Sequence, residues 1–376
     1  MSKRPGSPSA GIVAKRAKAP SPENQSQIAI SSADGDRSKG LVRTVQRTSG
    51  LEAPIISLAG AHAGEILSCR FDPTGQNIAA CSTDRGVSLW RTYAPNTNYG
   101  LLTGLAKAPI TDLQWSLCSP TLYTVSADAS LTATDVTTGQ RVRRVRAAHR
   151  GVINALDRTM GGGSGAELVA TAADDNTVRV WDMSEDGGKL PVAEWDVGCP
   201  VTAVCWSKDG ASVYAAALDN EIHVYDLRSS AALHTLGGHT DTPTSLSLSP
   251  CGSFLLSPSL SSTTLIHDVR PFCATPDRVH KVLVGAPAGF EGALRRGAWG
   301  SYGGGGAAGG REYVAVGGAD RAVCVWEAGG GRLVYKLPGH RGTVMAVDFH
   351  PREPILLTGS KDGTMLLGEL DPGSAA

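Results

Sequence analysis

One pattern of residues recurs along this chain of 376 residues, and it constrains the fold more than any other feature. In its fullest form, a Gly-His or Ala-His pair precedes two apolar runs, an Asp, and an aromatic residue six positions after that Asp. The spacing from His62 to Asp84 is 22 residues, and the spacing from His340 to Asp362 is again 22. Because the same spacing returns at opposite ends of the chain, we interpret the sequence as a series of internal repeats.

Seven copies can be aligned on the position of the aromatic residue or its replacement. These anchors are Trp90, Thr134, Trp181, Tyr225, His267, Trp326 and Gly368. Successive anchors are 44, 47, 44, 42, 59 and 42 residues apart, and a unit of about 40–45 residues with this signature is typical of a four-stranded propeller blade. We therefore predict an all-β, seven-bladed β-propeller over 51–371, followed by a short flexible end at 372–376. The longest step contains the glycines at 303–306, which fit an insertion in a surface loop.

The same pattern predicts a polar network within each blade. In the first blade we expect His62 to bind Asp84 and to reach Ser82, which in turn reaches the indole of Trp90, so that each buried polar group finds a partner. Loss of one member is expected to cost about 1–3 kcal/mol. The matching residues of other blades are His149, Asp175, Trp181, His340, Ser360 and Asp362. Ser261, His267 and Thr134 depart from the pattern, so we expect blades two and five to be looser.

Ser, His and Asp within one repeat also resemble the triad of a hydrolase. An enzyme keeps one such set in one cleft, whereas this set recurs in part around the predicted ring. None of the glycine runs is followed by Lys-Ser or Lys-Thr, as a phosphate-binding loop requires, and no ligands cluster at zinc spacing. We therefore predict no catalytic residue, no cofactor and no metal site. The eight cysteines include no Cys-x-x-Cys pair and fit buried free thiols in a reducing compartment.

The predicted ring must also be closed. The last repeat ends at Leu370 and supplies at most three strands, which would leave a blade with an unpaired edge. The stretch from Pro54 to Leu58 lies before the first repeat and is apolar. We predict that it pairs as the outer strand of the seventh blade.

Charge divides the chain at about residue 50. Residues 1–50 hold nine basic and three acidic residues, a net charge of +6; with 35 of each in the whole chain, the remainder holds 26 and 32, a net charge of −6. This first segment has no aromatic residue, so we predict a disordered basic tail. Its basic residues form two clusters that fit a bipartite nuclear-import signal, namely Lys3, Arg4, Lys15, Arg16 and Lys18. The alternative is a solvated tail that aids solubility or contacts RNA weakly.

Several stretches outside the repeat pattern carry a resemblance. They are Ala53-Pro54-Ile55, Asp268 to Phe272, Phe290-Glu291 with Leu294-Arg295, Tyr335 to His340, Glu353-Pro354-Ile355, and an ending in Gly368-Glu369 where Trp-Asp is usual. Over about 51–370 the chain resembles the small WD40-repeat proteins of the U5 small nuclear ribonucleoprotein. Ser261, His267 and Thr134 are departures from that family, whose members typically keep Asp or Trp there.

The resemblance implies a nuclear, non-catalytic scaffold subunit. Such a protein docks on the large central scaffold protein of the U5 particle, among other spliceosomal proteins, during spliceosome assembly and pre-mRNA splicing. It implies a monomer within a large complex. Because the ring carries −6, we expect RNA contact to be indirect or minor, or to use the tail. No apolar run of 18 residues is present, so no membrane is implied.

Candidate partner-binding residues lie in two places. The first is the loops of the narrow face of the ring, where we select Arg85, Arg150, Arg321, Arg341 and Lys361. The second is a loop patch at Arg270-Pro271-Phe272. The alternatives are solvated loop charges for the first set and packing onto the rim for the second.

A different function is also compatible with a propeller fold. Substrate receptors of cullin-type ubiquitin ligases tend to carry Trp-Asp-x-Arg at the end of a blade. Here Asp226-Leu227-Arg228 and Asp268-Val269-Arg270 keep the Asp-x-Arg part and lose the Trp.

Overall fold

The computed structural model describes residues 47–161, 165–184, 188, 190–229, 231–273, 277–302 and 310–370. The chain separates into two units, Met1–Val45 and Gln46–Ala376, and every described residue belongs to the second. The nuclear-import residues Lys3, Arg4, Lys15, Arg16 and Lys18, the glycines at 303–306 and the C-terminal segment 372–376 lie outside the described residues.

In the described part of the chain, twenty-eight strands form seven antiparallel sheets of four strands each, which is the predicted all-β, seven-bladed propeller. The first blade is β2 (Ile66–Phe71), β3 (Asn77–Ser82), β4 (Val87–Arg91) and β5 (Asn98–Leu102); the second is β6 (Ile110–Trp115), β7 (Thr121–Ser126), β8 (Leu131–Asp135) and β9 (Arg141–Val145). The third is β10 (Ile153–Met160), β11 (Glu167–Ala173), β12 (Thr177–Asp182) and β13 (Ala193–Asp196); the fourth is β14 (Val201–Trp206), β15 (Ser212–Ala217), β16 (Ile222–Asp226) and β17 (Ala232–Leu236). The fifth is β18 (Ser247–Leu248), β19 (Phe254–Pro258), β20 (Thr263–Asp268) and β21 (Val279–Val284); the sixth is β22 (Gly297–Tyr302), β23 (Arg311–Gly317), β24 (Ala322–Glu327) and β25 (Leu333–Pro338). The seventh is β26 (Val344–Phe349), β27 (Ile355–Ser360), β28 (Met365–Glu369) and β1 (Ile55–Leu58).

The position of a strand within its blade determines how its side chains are buried. All seven residues of β11 are buried, because neighbouring blades cover both faces of this middle strand. The first four residues of the outer strand β17 are exposed. Middle strands therefore appear as nearly continuous runs of small apolar residues, whereas outer strands have mixed composition.

The ring closes by pairing its first strand with its last. β1 runs antiparallel to β28, with Ile55 opposite Gly368 and Leu58 opposite Met365. Leu58 is 2% exposed and packs in a cluster with Ile66 of the first blade. Blade seven thus takes its outer strand from the segment before the first repeat.

Residues just before β1 are also bound to blade seven. The carboxylate of Glu369 accepts hydrogen bonds from the backbone N–H groups of Thr48 (2.5 Å) and Ser49 (2.8 Å), and from Arg47 Nε (2.6 Å). Glu353 accepts the N–H of Gly50 at 2.8 Å. The predicted tail boundary at residue 50 is therefore too late, since 47–50 contact the ring.

The departures from the repeat affect the two irregular blades differently. In blade five the inner strand β18 is only two residues long. Blade two keeps strands of five or six residues, and within the described ranges the buried hydroxyl of its anchor Thr134 has no hydrogen-bond partner.

All eight cysteines lie within the described ranges and are free thiols. Four are buried, and the other four are exposed or partly exposed, so the expectation of burial applies to half of them. Within the described ranges, no helix has the length and apolarity needed to cross a membrane.

Candidate functional site

The polar network of the first blade links a loop histidine to a buried tryptophan. His62 Nδ1 lies 2.9 Å from Asp84 Oδ2, and His62 Nε2 lies 2.8 Å from Ser88 Oγ. Trp90 Nε1 donates to the same Ser88 Oγ at 2.9 Å. The bridging residue is therefore Ser88, and the prediction of Ser82 is wrong.

Ser82 and the equivalent Ser360 have a different role. Ser82 Oγ accepts the backbone N–H of Asp84 at 3.2 Å, and Ser360 Oγ accepts the N–H of Asp362 at 3.3 Å. Both hydroxyls hold the tight turn that presents the Asp. Neither one contacts a His or a Trp through a hydrogen bond in the described structure.

In other blades the bridging hydroxyl stands four residues before the turn position. His149 Nε2 lies 2.7 Å from Thr171 Oγ1, which accepts Trp181 Nε1 at 3.0 Å. Thr358 and Ser257 take this position in blades seven and five, at 2.8 and 2.7 Å from the His Nε2.

The first blade has Ala80 at this position, and Ser88 lies directly opposite Ala80 in the pairing of β3 with β4. In blade one the hydroxyl therefore comes from the facing strand, and Ser88 Oγ is hydrogen-bonded to both His62 Nε2 and Trp90 Nε1.

The turn carboxylates are held as anions by the groups around them. Burial by itself would raise the pKa of Asp175, but the N–H of Arg150, the hydroxyl of Thr177 and His149 together lower this pKa to about 2. Burial lowers the pKa of His149, so its imidazole is neutral at neutral pH. The pair is a neutral imidazole bound to a carboxylate, which fixes the loop onto the blade.

The order Ser88, His62, Asp84 has the connectivity of a hydrolase triad. However, Ser88 is fully buried, and its oxygen already accepts the indole N–H of Trp90. The same arrangement recurs around Thr171 and Thr358, which are also buried. We interpret these sets as structural networks.

Ser88→Ala is expected to lower the free energy of unfolding by about 1–3 kcal/mol, because His62 and Trp90 both lose a buried partner. Denaturant unfolding followed by tryptophan fluorescence measures the change. Ser82→Ala is the matched control and should cost less. Adding Ala80→Ser to Ser88→Ala returns the hydroxyl to the position used in blade five and should recover stability. Equal losses from Ser82→Ala and Ser88→Ala would contradict the assignment.

Blade five contains a histidine without its carboxylate. The buried Nδ1 of His239 has no hydrogen-bond partner in the described structure, and Ser261 stands at the position of the turn Asp. Burial and the neighbouring His267 lower the pKa of His239 to about 4. An unfolded histidine has a pKa of about 6.5, so the stability contributed by neutral His239 is complete above that pH and is lost as the pH falls towards 4.

Ser261→Asp is expected to stabilise the protein by about 1–2 kcal/mol, because a carboxylate would accept His239 Nδ1 as Asp175 accepts that of His149. The substitution raises the pKa of His239 and should reduce the loss of stability between pH 6.5 and pH 4. Thermal unfolding across this pH range tests both effects. Ser261→Asn supplies an uncharged acceptor as the control; an equal gain from both variants would exclude the charge effect.

The turns between the second and third strands share a backbone conformation. In all seven blades the residue after the turn Asp, or its replacement, has a left-handed φ between 60° and 76°; these residues are Arg85, Ala129, Asn176, Asn220, Ser262, Arg321 and Gly363. This region favours Gly and Asn and is costly for longer side chains. Arg85 and Arg321 adopt this conformation despite their long side chains, because the turn between the second and third strands requires it in every blade.

We call the face that carries these turns and the loops between blades the turn face. Arg85, Arg150, Arg321 and Arg341 lie there and are exposed, and no side-chain partner for them is found in the described part of the chain. Lys361 differs, since its Nζ lies 2.5 Å from Glu291 Oε2 and 3.8 Å from Glu65 Oε2. The structure thus leaves four of the five predicted cations on this face available.

The second predicted patch lies at the opposite end of the strands, after β20. Arg270 forms a bidentate ion pair with Asp268 and lies over the ring of Phe254, so it is already engaged. Phe272 is 95% exposed. Packing of Phe272 onto the rim is therefore excluded.

The sequence model of the family described as "WD domain, G-beta repeat" matches 53–91, 140–182, 193–226, 230–268 and 331–367. The chain is 40% identical over 328 residues to "Pre-mRNA-splicing factor cwf17" of Schizosaccharomyces pombe, covering 87% of this chain and 91% of that protein. It is 36% identical to the "U5 small nuclear ribonucleoprotein 40 kDa protein" of Dictyostelium discoideum, covering 94% of both, and of Homo sapiens, covering 86% of both.

The chain belongs to the U5 small nuclear ribonucleoprotein 40 kDa family.

Two of the stretches that carry the family resemblance, Glu353-Pro354-Ile355 and Gly368-Glu369, contribute to closure of the ring. Gly368-Glu369 replaces Trp-Asp, and Glu369 binds the segment before β1. Glu353 accepts Tyr93 Oη at 2.7 Å in addition to the N–H of Gly50. Both carboxylates hold the junction where the ring closes.

Sequence analysis missed one group of potential ligands. Asp219, Glu221 and His223 of blade four place their ligand atoms within 4.8 Å of one another. His223 Nε2 already binds Asp219 Oδ2 at 2.8 Å, and the two acids are exposed. Two of the three lie in a turn, so periodicity alone did not indicate that they meet.

Proposed function

We propose that this protein is a non-catalytic scaffold subunit of the U5 small nuclear ribonucleoprotein and acts in spliceosome assembly and pre-mRNA splicing. One observation carries the proposal, namely 36–40% identity over most of the length of relatives whose names give pre-mRNA splicing and the U5 small nuclear ribonucleoprotein. The similarity extends over 94% of this chain.

The chemistry of the ring supports binding over catalysis. The hydroxyls bound to the His Nε2 atoms, those of Ser88, Thr171 and Thr358, are buried and hydrogen-bonded to tryptophan or to a backbone carbonyl. The exposed cations of the turn face provide interface anchors, because arginine is enriched at binding hot spots.

We infer that the partner is the large central scaffold protein of the U5 particle and that Arg85, Arg150, Arg321 and Arg341 contribute to docking, with Phe272 as a separate apolar contact. The protein acts in the nucleus as a monomer within this complex. Lys3, Arg4, Lys15, Arg16 and Lys18 supply the import signal.

Affinity purification of the tagged protein from nuclear extract tests the proposal. We expect U5 RNA and the large U5 protein to co-purify. Recovery of a cullin adaptor without spliceosomal RNA would instead support a ubiquitin-ligase receptor.

The docking face is tested by charge reversal at two pairs of exposed arginines. Arg85→Glu with Arg321→Glu, on the turn face, should reduce recovery of the large protein about tenfold or more, as loss of hot-spot residues does. Arg228→Glu with Arg352→Glu, on the opposite face, is the matched control. Equal recovery from the two variants would exclude the turn face.

A further inference from the structure

The outer strand of blade two is unusually basic. The ten residues 141–150 contain five arginines and no acid, although the ring as a whole is acidic. They comprise β9 and the loop that leads into blade three; the arginines are Arg141, Arg143, Arg144, Arg146 and Arg150.

Comparison with the other blades separates this feature from general protection of sheet edges. Charged residues on outer strands often prevent edge-to-edge aggregation. In the other six outer strands, however, Lys281 and Lys336 are the only lysine or arginine residues, and each is bound within the protein, to the carbonyl of Gly329 and to Asp320. Six of the seven outer strands therefore have no run of cations, so protection of sheet edges does not explain the arginines of β9.

Part of the positive charge of this strand is used internally. Arg143 Nη1 donates to the carbonyl oxygens of Asp182 and Ser184 at 2.7 Å each, which ties blade two to blade three. Arg144 Nη2 lies 3.1 Å from Asp128 Oδ2. These two arginines are structural.

The remaining cations are available. Arg141, Arg146 and Arg150 are exposed, and within the described ranges their side chains have no hydrogen-bond or ion-pair partner. Lys107, in the loop before β6, is exposed in the same way. We call Lys107, Arg141 and Arg146 the blade-two basic edge, and Arg150 stays among the docking residues of the turn face.

Two acids of blades two and three are already paired with other arginines. Asp128 binds Arg144, and Glu194 binds Arg179 at 2.8 Å.

We propose that the blade-two basic edge binds the sugar-phosphate backbone of RNA, without sequence preference. The inference rests on the proposed function, because it assumes that the protein works beside RNA in a ribonucleoprotein. Unpaired cations along one strand and its adjoining loops supply the electrostatic attraction that phosphate binding requires. The strand offers little apolar area to a protein partner, since the only large apolar side chain exposed on β9 is Val142.

This contact differs from the expectation drawn from the sequence, which was that RNA contact is indirect or minor, or uses the tail. The net charge of −6 on the ring disfavours binding over its surface as a whole. It does not disfavour RNA binding at one edge of the ring, because salt at physiological strength screens charges more than about 8 Å away.

The test measures how binding of the full-length protein to a fluorescently labelled single-stranded RNA depends on salt, by fluorescence anisotropy. Lys107→Gln, Arg141→Gln and Arg146→Gln together should lower the slope of log K against log salt by about 2, since each phosphate contact on a single strand contributes about 0.7. Between about 50 and 200 mM salt, this slope corresponds to about a twentyfold change in affinity.

The matched control is Arg85→Gln with Arg321→Gln and Arg341→Gln, which removes the same charge from the turn face and should leave the slope unchanged. Thermal unfolding verifies that both triple variants are folded. An unchanged slope in the edge variant overturns the proposal. A slope that falls only when Lys3, Arg4, Lys15, Arg16 and Lys18 are replaced by alanine assigns RNA binding to the tail.

Failure of this proposal is distinguishable from failure of the proposed function. Anisotropy uses two purified components, whereas membership of the U5 particle is judged by co-purification. If the edge variant keeps the salt dependence of RNA binding but no longer co-purifies with the large U5 protein, the edge is a protein-docking surface and the RNA proposal is wrong.

Discussion

Deleting residues 51–60 is expected to abolish the single cooperative unfolding transition of the ring. The deletion removes β1, so the backbone groups of β28 from Met365 to Gly368 lose their partners. It also removes Leu58 from the cluster shared by blades one and seven. Chemical denaturation followed by both circular dichroism and tryptophan fluorescence should then give broad transitions that do not coincide.

A point substitution in the same strand provides a finer test. Leu58→Asp places a charge at a position that is 2% exposed, whereas Ile55→Asp changes a side chain that is 66% exposed. The first should destabilise severely and the second only slightly. Deleting 21–30, within the predicted tail, controls for chain shortening. If the 51–60 deletion unfolded like the full chain, β1 would not be closing the ring.

Arg296→Met is expected to cost about 3–5 kcal/mol of stability, because it leaves Asp112 as an uncompensated buried charge. Arg296 precedes β22 in blade six, and its Nη1 lies 2.9 Å from Asp112 Oδ2 in blade two. The two side chains are only 10% and 1% exposed. Nη2 also donates to the carbonyls of Thr111 and Asn154, at 3.1 Å each, so one guanidinium joins blade six to blades two and three.

The matched control is Arg270→Met, which breaks the pair between Arg270 and Asp268 at a site where the arginine is 54% exposed. Exposed pairs contribute about 0–1 kcal/mol, so this variant should unfold almost like the original protein. Combining Arg296→Met with Asp112→Leu should recover most of the loss, since replacing both charges removes the buried anion. Equal costs for Arg296→Met and Arg270→Met would contradict the role assigned to the buried pair.

The repeat spacing was sufficient to predict the number of blades and the pairs between loop histidines and turn aspartates. These features are local, because each His and its Asp belong to one repeat and are 22 to 26 residues apart. The pair between Arg296 and Asp112 joins residues 184 positions apart in different repeats. No periodicity relates them, so only the closed ring reveals that they meet.

The misassigned bridge in blade one has a different physical reason. Distance along the chain favoured Ser82, which is two residues from Asp84. The hydrogen bond is formed by Ser88 because the antiparallel register places it opposite Ala80. Register is a property of two strands and cannot be obtained from the spacing within one.

The ending in Gly368-Glu369 shows how an apparent defect can be a specialisation. In sequence it is a missing Trp-Asp pair, whereas in the structure Glu369 binds three consecutive residues, Arg47, Thr48 and Ser49. Glutamate is one methylene longer than aspartate, and that extra length is available to reach the incoming segment.

The pairing of β1 with β28 joins residue 55 to residue 368, and this separation affects how the protein is made. A ribosome adds about 5–20 residues per second, so the strand synthesised first waits about 15 to 60 s for the strand that will cover it. During translation the apolar strand β1 therefore remains without its pairing partner β28. Because an unpaired apolar strand is prone to aggregation, we expect chaperones to assist synthesis of this protein until the final blade emerges.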